Sequence, residues 1–465
     1  MNILPSGFCY SVRASVLQLL SPLLKQWRKR YRHVPTVTPD AIPEMDLQPL
    51  EGYTDKLFYH PGQTIRFFVH NEFEVSTLTL YRLSAPYTYV PVFETNLPKT
   101  VQKRPEDATE NRLNWQNPIL YTIPEAAQPG YYRATLTSKS WPGQSDITFL
   151  VGSATKTAKV AVLAPVSTWV AYNPYGGKSL YKNAHDGSSV YTVSTLRPNT
   201  ALQYKSQENI HDINVEANIF NWLQHHEGAD LYPDFVLEQA PELLQQYKVI
   251  VLAYHVEYVS GKMYKNLRRL VNKQKLSLIS LGANQIYWKV EWHDDFTRME
   301  CRKDASNFSK SGRTGGMWRH TSEPEAKLLG VCFTDAGRGT YAPYQVLQPN
   351  HWLYKDTQIQ KGDLFGLSGI NQIPVCGDET DKINFCSDSA VTVLAKGLNK
   401  KSVSEFEVYK QNDPEWNGAG GGCLVLKELS KKQAVLSTGS IQSGAGLGAD
   451  AVFTKIVENF LERYA

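Results

Sequence analysis

Polar residues capable of chemistry stand where three apolar runs of this chain come to an end. In KVIVLAYHVEY the stretch Val249 to Ala253 is apolar throughout and then breaks into His255, Glu257 and Tyr258. A run of that kind reads as a strand covered on both faces, and ligands in open α/β sheets gather just past the strands' carboxyl ends. KVAVLAP (159–165) leads into STWVAYN, which brings Tyr172 and Asn173 to the same level, and KLSLISLGANQIYW ends in Gly282 and Asn284. Imidazole, carboxylate and amide groups on one rim suit proton transfer. Phenolate and carboxylate are hard anionic donors that suit a hard trivalent cation such as Fe(III). Each residue also has a plainer reading, since a strand-end tyrosine commonly packs its ring and a lone histidine is commonly a hydrogen-bonded interior group. The convergence carries the expectation.

Other chemistries lack their residues. GGKS (176–179) resembles the tail of a phosphate loop, but Tyr172 occupies the position of the first glycine of GxxxxGK[ST], so the backbone cannot wrap a phosphate. None of the six cysteines follows a buried strand as a nucleophile elbow would require, and no GxSxG is present. No HExxH or paired Cys/His spacing argues for zinc.

The elements that position these residues fall into two groups. From Gly52 the pattern has period two: Ile65, Phe67 and Val69 alternate with Arg66, Phe68 and His70, and segments 76–83, 119–123, 131–137 and 146–151 repeat it between turns. This predicts a β-sandwich over 48–152, with a charged, mobile loop over 96–117. After the linker GSATKT (152–157), strands alternate with helices, which predicts a parallel-sheet α/β domain, flavodoxin-like or glutamine-amidotransferase-like, over 157–465. Ser260 should cap a helix whose Met263, Leu267, Leu270 and Val271 form one stripe. Residues 288–374 read as a long irregular excursion, and 449–463 as a closing helix.

At 465 residues, core volume is not limiting. The net charge of +4 is owed to six Lys/Arg in the first 39 residues, which hold no acid. The remainder is therefore slightly acidic and offers no phosphate footprint for nucleic acid. Residues 1–45 read as a basic tail, as compatible with an organellar transit peptide as with disorder. Scattered cysteines favour a reducing, cytoplasmic setting, and no apolar run is long enough to span a membrane.

Taken together, AYNPYGGKSLY, YKVIVLAYHVEY, LGANQIYW and GDETDK (377–382) resemble the large (beta) subunit of N,N-dimethylformamidase. The likeness is to its C-terminal glutamine-amidotransferase-like domain above all. It runs over most of residues 50–465, with GYTDKLFYHPGQ and PGYYRATL in the β region, and HVEY followed by GANxxYW is its most specific part. The resemblance implies hydrolysis of the C–N bond of a small, formamide-type amide at a mononuclear Fe(III) held by Tyr132, Tyr172 and Glu257, with His255, Asn284 and Glu379 as catalytic polar residues. Alternation along PGYYRATL puts Tyr132 with Ala134 and Leu136 on an apolar face and Tyr131 on the other, so the choice between the two tyrosines stays open. The family's large subunit is longer, carrying an additional lectin-like domain, and works with a small partner subunit; a small partner or a homo-oligomer is the corresponding expectation here. The competing expectation is a non-catalytic binding or scaffold protein that keeps the same fold.

Overall fold

The computed structural model describes residues 48–465 except 106, 154, 181–189, 203–211, 304–314, 335–337, 385 and 400–420. The basic tail over 1–45 lies outside the described residues. The alternating region forms eight strands: β1 (Leu50–Thr54), β2 (Phe58–Tyr59), β3 (Thr64–Asn71), β4 (Ser76–Ala85), β5 (Thr88–Leu97), β6 (Ile119–Thr122), β7 (Gly130–Ser138) and β8 (Trp141–Val151). They make a three-stranded sheet, β1-β3-β6, and a five-stranded sheet, β2-β8-β7-β4-β5. Leu50, Ile65 and Phe67 from the first meet Leu80, Ala134 and Phe149 from the second in one apolar cluster. Period-two side chains leave the opposite face of the five-stranded sheet to carry Leu83, Tyr131 and Leu150 into a second, larger cluster with the α/β elements.

The segment after β5 is held rather than loose. Leu113 and Trp115 bury against Tyr53 and Tyr175, and Trp115 Nε1 donates to Lys103 O at 2.9 Å. Its charged composition concealed these two apolar anchors.

From β9 (Val160–Ala164) onward a nine-stranded sheet takes over. Ala229–Pro233, β9, Val249–Tyr254, Ser277–Gly282 and Gln433–Ser437 lie side by side in that order, all parallel. The sheet continues antiparallel through Cys423–Ser430, Val391–Gly397, Tyr344–Val346 and Leu364–Phe365. The expected parallel sheet is therefore one part of a mixed sheet, and the reason for the antiparallel remainder is covalent. Only Lys431 and Lys432 separate Cys423–Ser430 from Gln433–Ser437, too few residues for the crossover that a parallel pair needs. Residues 288–374 are also more regular than expected. Trp288–His293 pairs antiparallel with Arg298–Cys301 and parallel with Tyr258–Ser260, and Tyr344–Val346 and Leu364–Phe365 complete the sheet edge.

The helices follow their sequence signals. Ile213–Glu227 is capped by Asp212, whose side chain accepts from Asn214 N, and stops at Gly228 with φ +68°. Its Asn221 Nδ2 donates to Leu83 O at 3.1 Å, tying the α/β region to the outer face of the five-stranded sheet. Gly261–Asn272 starts where Ser260 Oγ accepts from Met263 N at 3.0 Å and buries the expected stripe. Among the described residues no helix is long and apolar enough to cross a membrane.

Gly282 is the tightest backbone approach at the rim. A Cβ there would fall 1.8 Å from Tyr254 O. Gly282→Ala is therefore expected to cost about 3 kcal/mol or more of unfolding free energy, the upper end for overpacking a core. Denaturant unfolding checks it, and an unchanged midpoint would show that the two strand ends can part freely.

Candidate functional site at the sheet rim

The rim is built from the way the chain leaves the strand Val249–Tyr254. Tyr254 has φ +58°, unfavourable for a bulky side chain, and it turns the backbone off the sheet so that His255–Val256–Glu257 runs across the strand ends. Neighbouring groups clamp this segment atom by atom. Thr168 Oγ1 donates to His255 O at 2.7 Å and accepts from Glu257 N at 3.0 Å. Gln285 Oε1 accepts from Val256 N at 2.6 Å, while its Nε2 donates to Tyr254 O at 3.3 Å. The Glu257 carbonyl accepts from Tyr287 N and Trp288 N at 2.8 and 3.0 Å.

Side chains then meet in an unbroken chain of contacts. Tyr172 closes the short helix Val166–Tyr172 and donates its hydroxyl proton to Glu257 Oε2 at 2.6 Å. His255 Nε2 stands 3.4 Å from Glu257 Oε2 and 3.6 Å from Glu379 Oε2. Asn284 Nδ2 donates to Glu379 Oε2 at 2.8 Å, and its backbone N–H donates to Asp381 Oδ1 at 2.7 Å. Asn284 is itself held at φ +51°, and its buried Oδ1 has no hydrogen-bond partner among the described residues. An interior acceptor left in that condition is costly unless something else, such as water or a ligand, fills the position.

Five of the six residues singled out from the sequence are thus neighbours: Tyr172, His255, Glu257, Asn284 and Glu379. Tyr132 is not brought to them. Its ring stacks on Phe149 inside the two-sheet unit and its hydroxyl donates to Gln128 O at 2.6 Å. Tyr131 faces the α/β region beside Trp169, with Glu216 and Asp234 as the acidic groups that raise its pKa along with burial. Asn173 turns away into structural bonds with Pro198 O and Tyr175 N.

The sequence reading missed several residues at the site. Thr168, Gln285 and Asp381 clamp its backbone, and short polar motifs carry no signal for such roles. Tyr258, already noted at this strand end from the sequence, packs edge-on to Tyr172, with ring centroids 6.0 Å apart; its partner Lys303 was not foreseen. The Tyr258 hydroxyl accepts from Lys303 Nζ at 2.7 Å, and that ammonium also lies over the Trp288 ring. Burial lowers the Lys303 pKa, while Glu257 and Glu379 pull it back. Arg338 Nε stands 3.7 Å from Glu379 Oε1.

Electrostatics divide the carboxyls. Burial first, then the charge of Glu257, pushes Glu379 up to about 8, against the opposing pull of Arg338 and the Asn284 hydrogen bond. Both causes favour the protonated form of Glu379 over its carboxylate. Burial raises Asp381 to about 7.

As a cation site, the pair Tyr172 and Glu257 fits: two hard oxygens already share one proton, which a hard cation would displace. Among the described residues no group of three or more His, Cys, Asp or Glu is arranged as a metal site. The full set with Tyr132 does not fit, because that hydroxyl is engaged in the other core.

The model of the family "N,N-dimethylformamidase beta subunit-like, C-terminal" matches residues 84–455 of the sequence. The chain belongs to that family. Two relatives carry the name N,N-dimethylformamidase beta subunit. The protein from Alcaligenes sp is 23% identical and that from Paracoccus aminophilus 22% identical, each over 281 residues. Each match covers 50% of this chain and 37% of the relative, so the chain matches little more than a third of the length of these dimethylformamidase subunits. The family expected from HVEY and GANxxYW is the family found.

The raised Glu379 pKa has a measurable consequence. A carboxyl held above its unfolded value of about 4.5 adds stability that is complete below that pH and is lost as pH rises toward about 8. Glu379→Gln, which keeps an acceptor for Asn284, is expected to flatten the fall of stability across that window. Thermal unfolding at a series of pH values checks this, and a slope identical to that of the parent protein would refute the assignment.

Proposed function

We propose that this chain hydrolyses the C–N bond of a small amide of formamide type at the rim formed by Tyr172, His255, Glu257, Asn284 and Glu379. The observation that carries the reading is the contact sequence Tyr172–Glu257–His255–Glu379–Asn284. It occurs in a family whose relatives are named dimethylformamidase subunits. We read the two-sheet unit as a β-sandwich and the nine-stranded sheet as an amidotransferase-like core. The relatives' names as subunits favour a small partner chain or self-association.

Tyr172 and Glu257 would hold a single ferric ion, which when bound supplies Lewis acidity at the amide carbonyl. His255, set between two carboxyls, takes the proton of the attacking water as its oxygen bonds to the carbonyl carbon. Asn284 has a second Nδ2 hydrogen beyond the one given to Glu379, and it donates this to the oxygen that gains negative charge. Glu379 passes its proton to the nitrogen as the C–N bond breaks. Amine and carboxylic acid are then the products, and the carboxyl of Glu379 is recharged by the proton His255 accepted. The clamp from Thr168 keeps His255 and Glu257 in register, so no side chain has to travel far during this exchange.

The test joins two readouts on the purified chain, with a matching partner subunit if one co-purifies. Amine release is measured with short-chain formamides and acetamides, and iron is measured by elemental analysis. The proposal predicts amine release, near-stoichiometric iron, and loss of most of that iron in Glu257→Gln. His255→Ala should keep the iron and lose about 10²- to 10⁴-fold in rate, the range expected for a general base. Unaltered iron occupancy in Glu257→Gln would overturn the ligand assignment. Absence of amine release from the iron-loaded protein would favour the binding or scaffold alternative.

A further inference from the structure

A second site lies in the two-sheet unit, lined by residues that take no part in the rim contacts. Along β4, Leu78 and Leu80 point into the core between the sheets. Two residues further, at the next inward position, stands Arg82, directly across from Tyr132 of β7 in the antiparallel register. An inward charge is a familiar guard on edge strands. That explanation does not apply here, because β4 lies between β5 and β7.

A cavity of about 270 Å³ opens at this place, walled by Ile65, Leu80, Val92, Tyr132 and Phe149. Among the described residues Arg82 is the one charged group in its lining. Among the described residues the Arg82 side chain takes part in no hydrogen bond or ion pair. The Tyr132 hydroxyl feels the guanidinium, which opposes the rise that burial imposes on its pKa. The site thus joins an apolar hollow to a cation that no described residue pairs with or hydrogen-bonds. A half-buried guanidinium beside apolar walls is poorly solvated, and it offers a planar pair of donors suited to a carboxylate.

We propose that this hollow binds a small amphiphile, a short aliphatic carboxylate whose head group pairs with Arg82 and whose chain fills the space between the sheets. The volume falls just under the usual range for small-molecule pockets, about 300–1,000 Å³, and so admits a chain of a few carbons rather than a long fatty acid. The charge at the wall selects an acid over an alcohol or an amine of the same length.

Isothermal titration of the full-length protein with hexanoate, 1-hexanol and hexylamine tests the assignment. Saturable one-to-one binding of hexanoate is expected, at least tenfold weaker binding of hexanol, and no binding of hexylamine. Arg82→Met should bring hexanoate down to the level of hexanol, and Ala127→Phe, which fills the cavity from its wall, should abolish both. No saturable hexanoate binding, equal affinity for hexylamine, or undiminished hexanoate binding in Arg82→Met would each overturn the proposal. The ligand comparison on the unmodified protein stands even where a variant fails to fold.

Discussion

One hydroxyl fixes the geometry on which the rim depends. Thr168 Oγ1 gives its proton to the His255 carbonyl and receives that of the Glu257 amide. This joins the start of the helix that carries Tyr172 to the segment that carries the imidazole and the carboxylate. Without such a clamp, three residues leaving a strand at a positive φ would have little to hold them. With it, Tyr172, His255 and Glu257 are set against one another by backbone rather than by their own flexible side chains. This is the kind of support that a site needs to hold its atoms to a fraction of an ångström.

The second constraint is charge in a dry place. Glu257, Glu379 and Asp381 all lie in or at the edge of the core, where isolated carboxylates are expensive. Three responses appear together. Glu379 and Asp381 retain protons more strongly than in water, Glu257 accepts the Tyr172 phenol, and the cations of Lys303 and Arg338 approach from the side. On the proposed function, such an arrangement would present an acid and a base to the same small volume, a common solution where one molecule must both remove and deliver a proton.

Much of this was legible in the sequence, and the reasons differ by residue. The buried run before His255 announces a covered strand, and strand-end chemistry follows from α/β topology alone, so His255, Glu257, Tyr172 and Asn284 were visible. Glu379 came only through a resemblance, since GDETDK carries no local pattern that marks it. Tyr132 shows the limit of alternation. Period two told its face from that of Tyr131, but not which face looked toward the rim, and its hydroxyl proved to serve Gln128. The mixed character of the sheet was written in a two-residue turn at Lys431 and Lys432 that the βαβ rhythm of the earlier chain obscured. Thr168, Gln285 and Lys303 were invisible because their roles arise from where distant strands come to lie.

The most direct measurement of the central claim, that a phenol and a carboxylate at the rim act together on one hard cation, is the visible absorption spectrum of the Fe(III)-loaded protein beside that of Tyr172→Phe. Phenolate bound to Fe(III) absorbs visible light through charge transfer from oxygen to metal. The account predicts a coloured parent protein and loss of the band in Tyr172→Phe with the fold intact. A colourless iron-loaded parent, or a band that survives the loss of the Tyr172 hydroxyl, would contradict it.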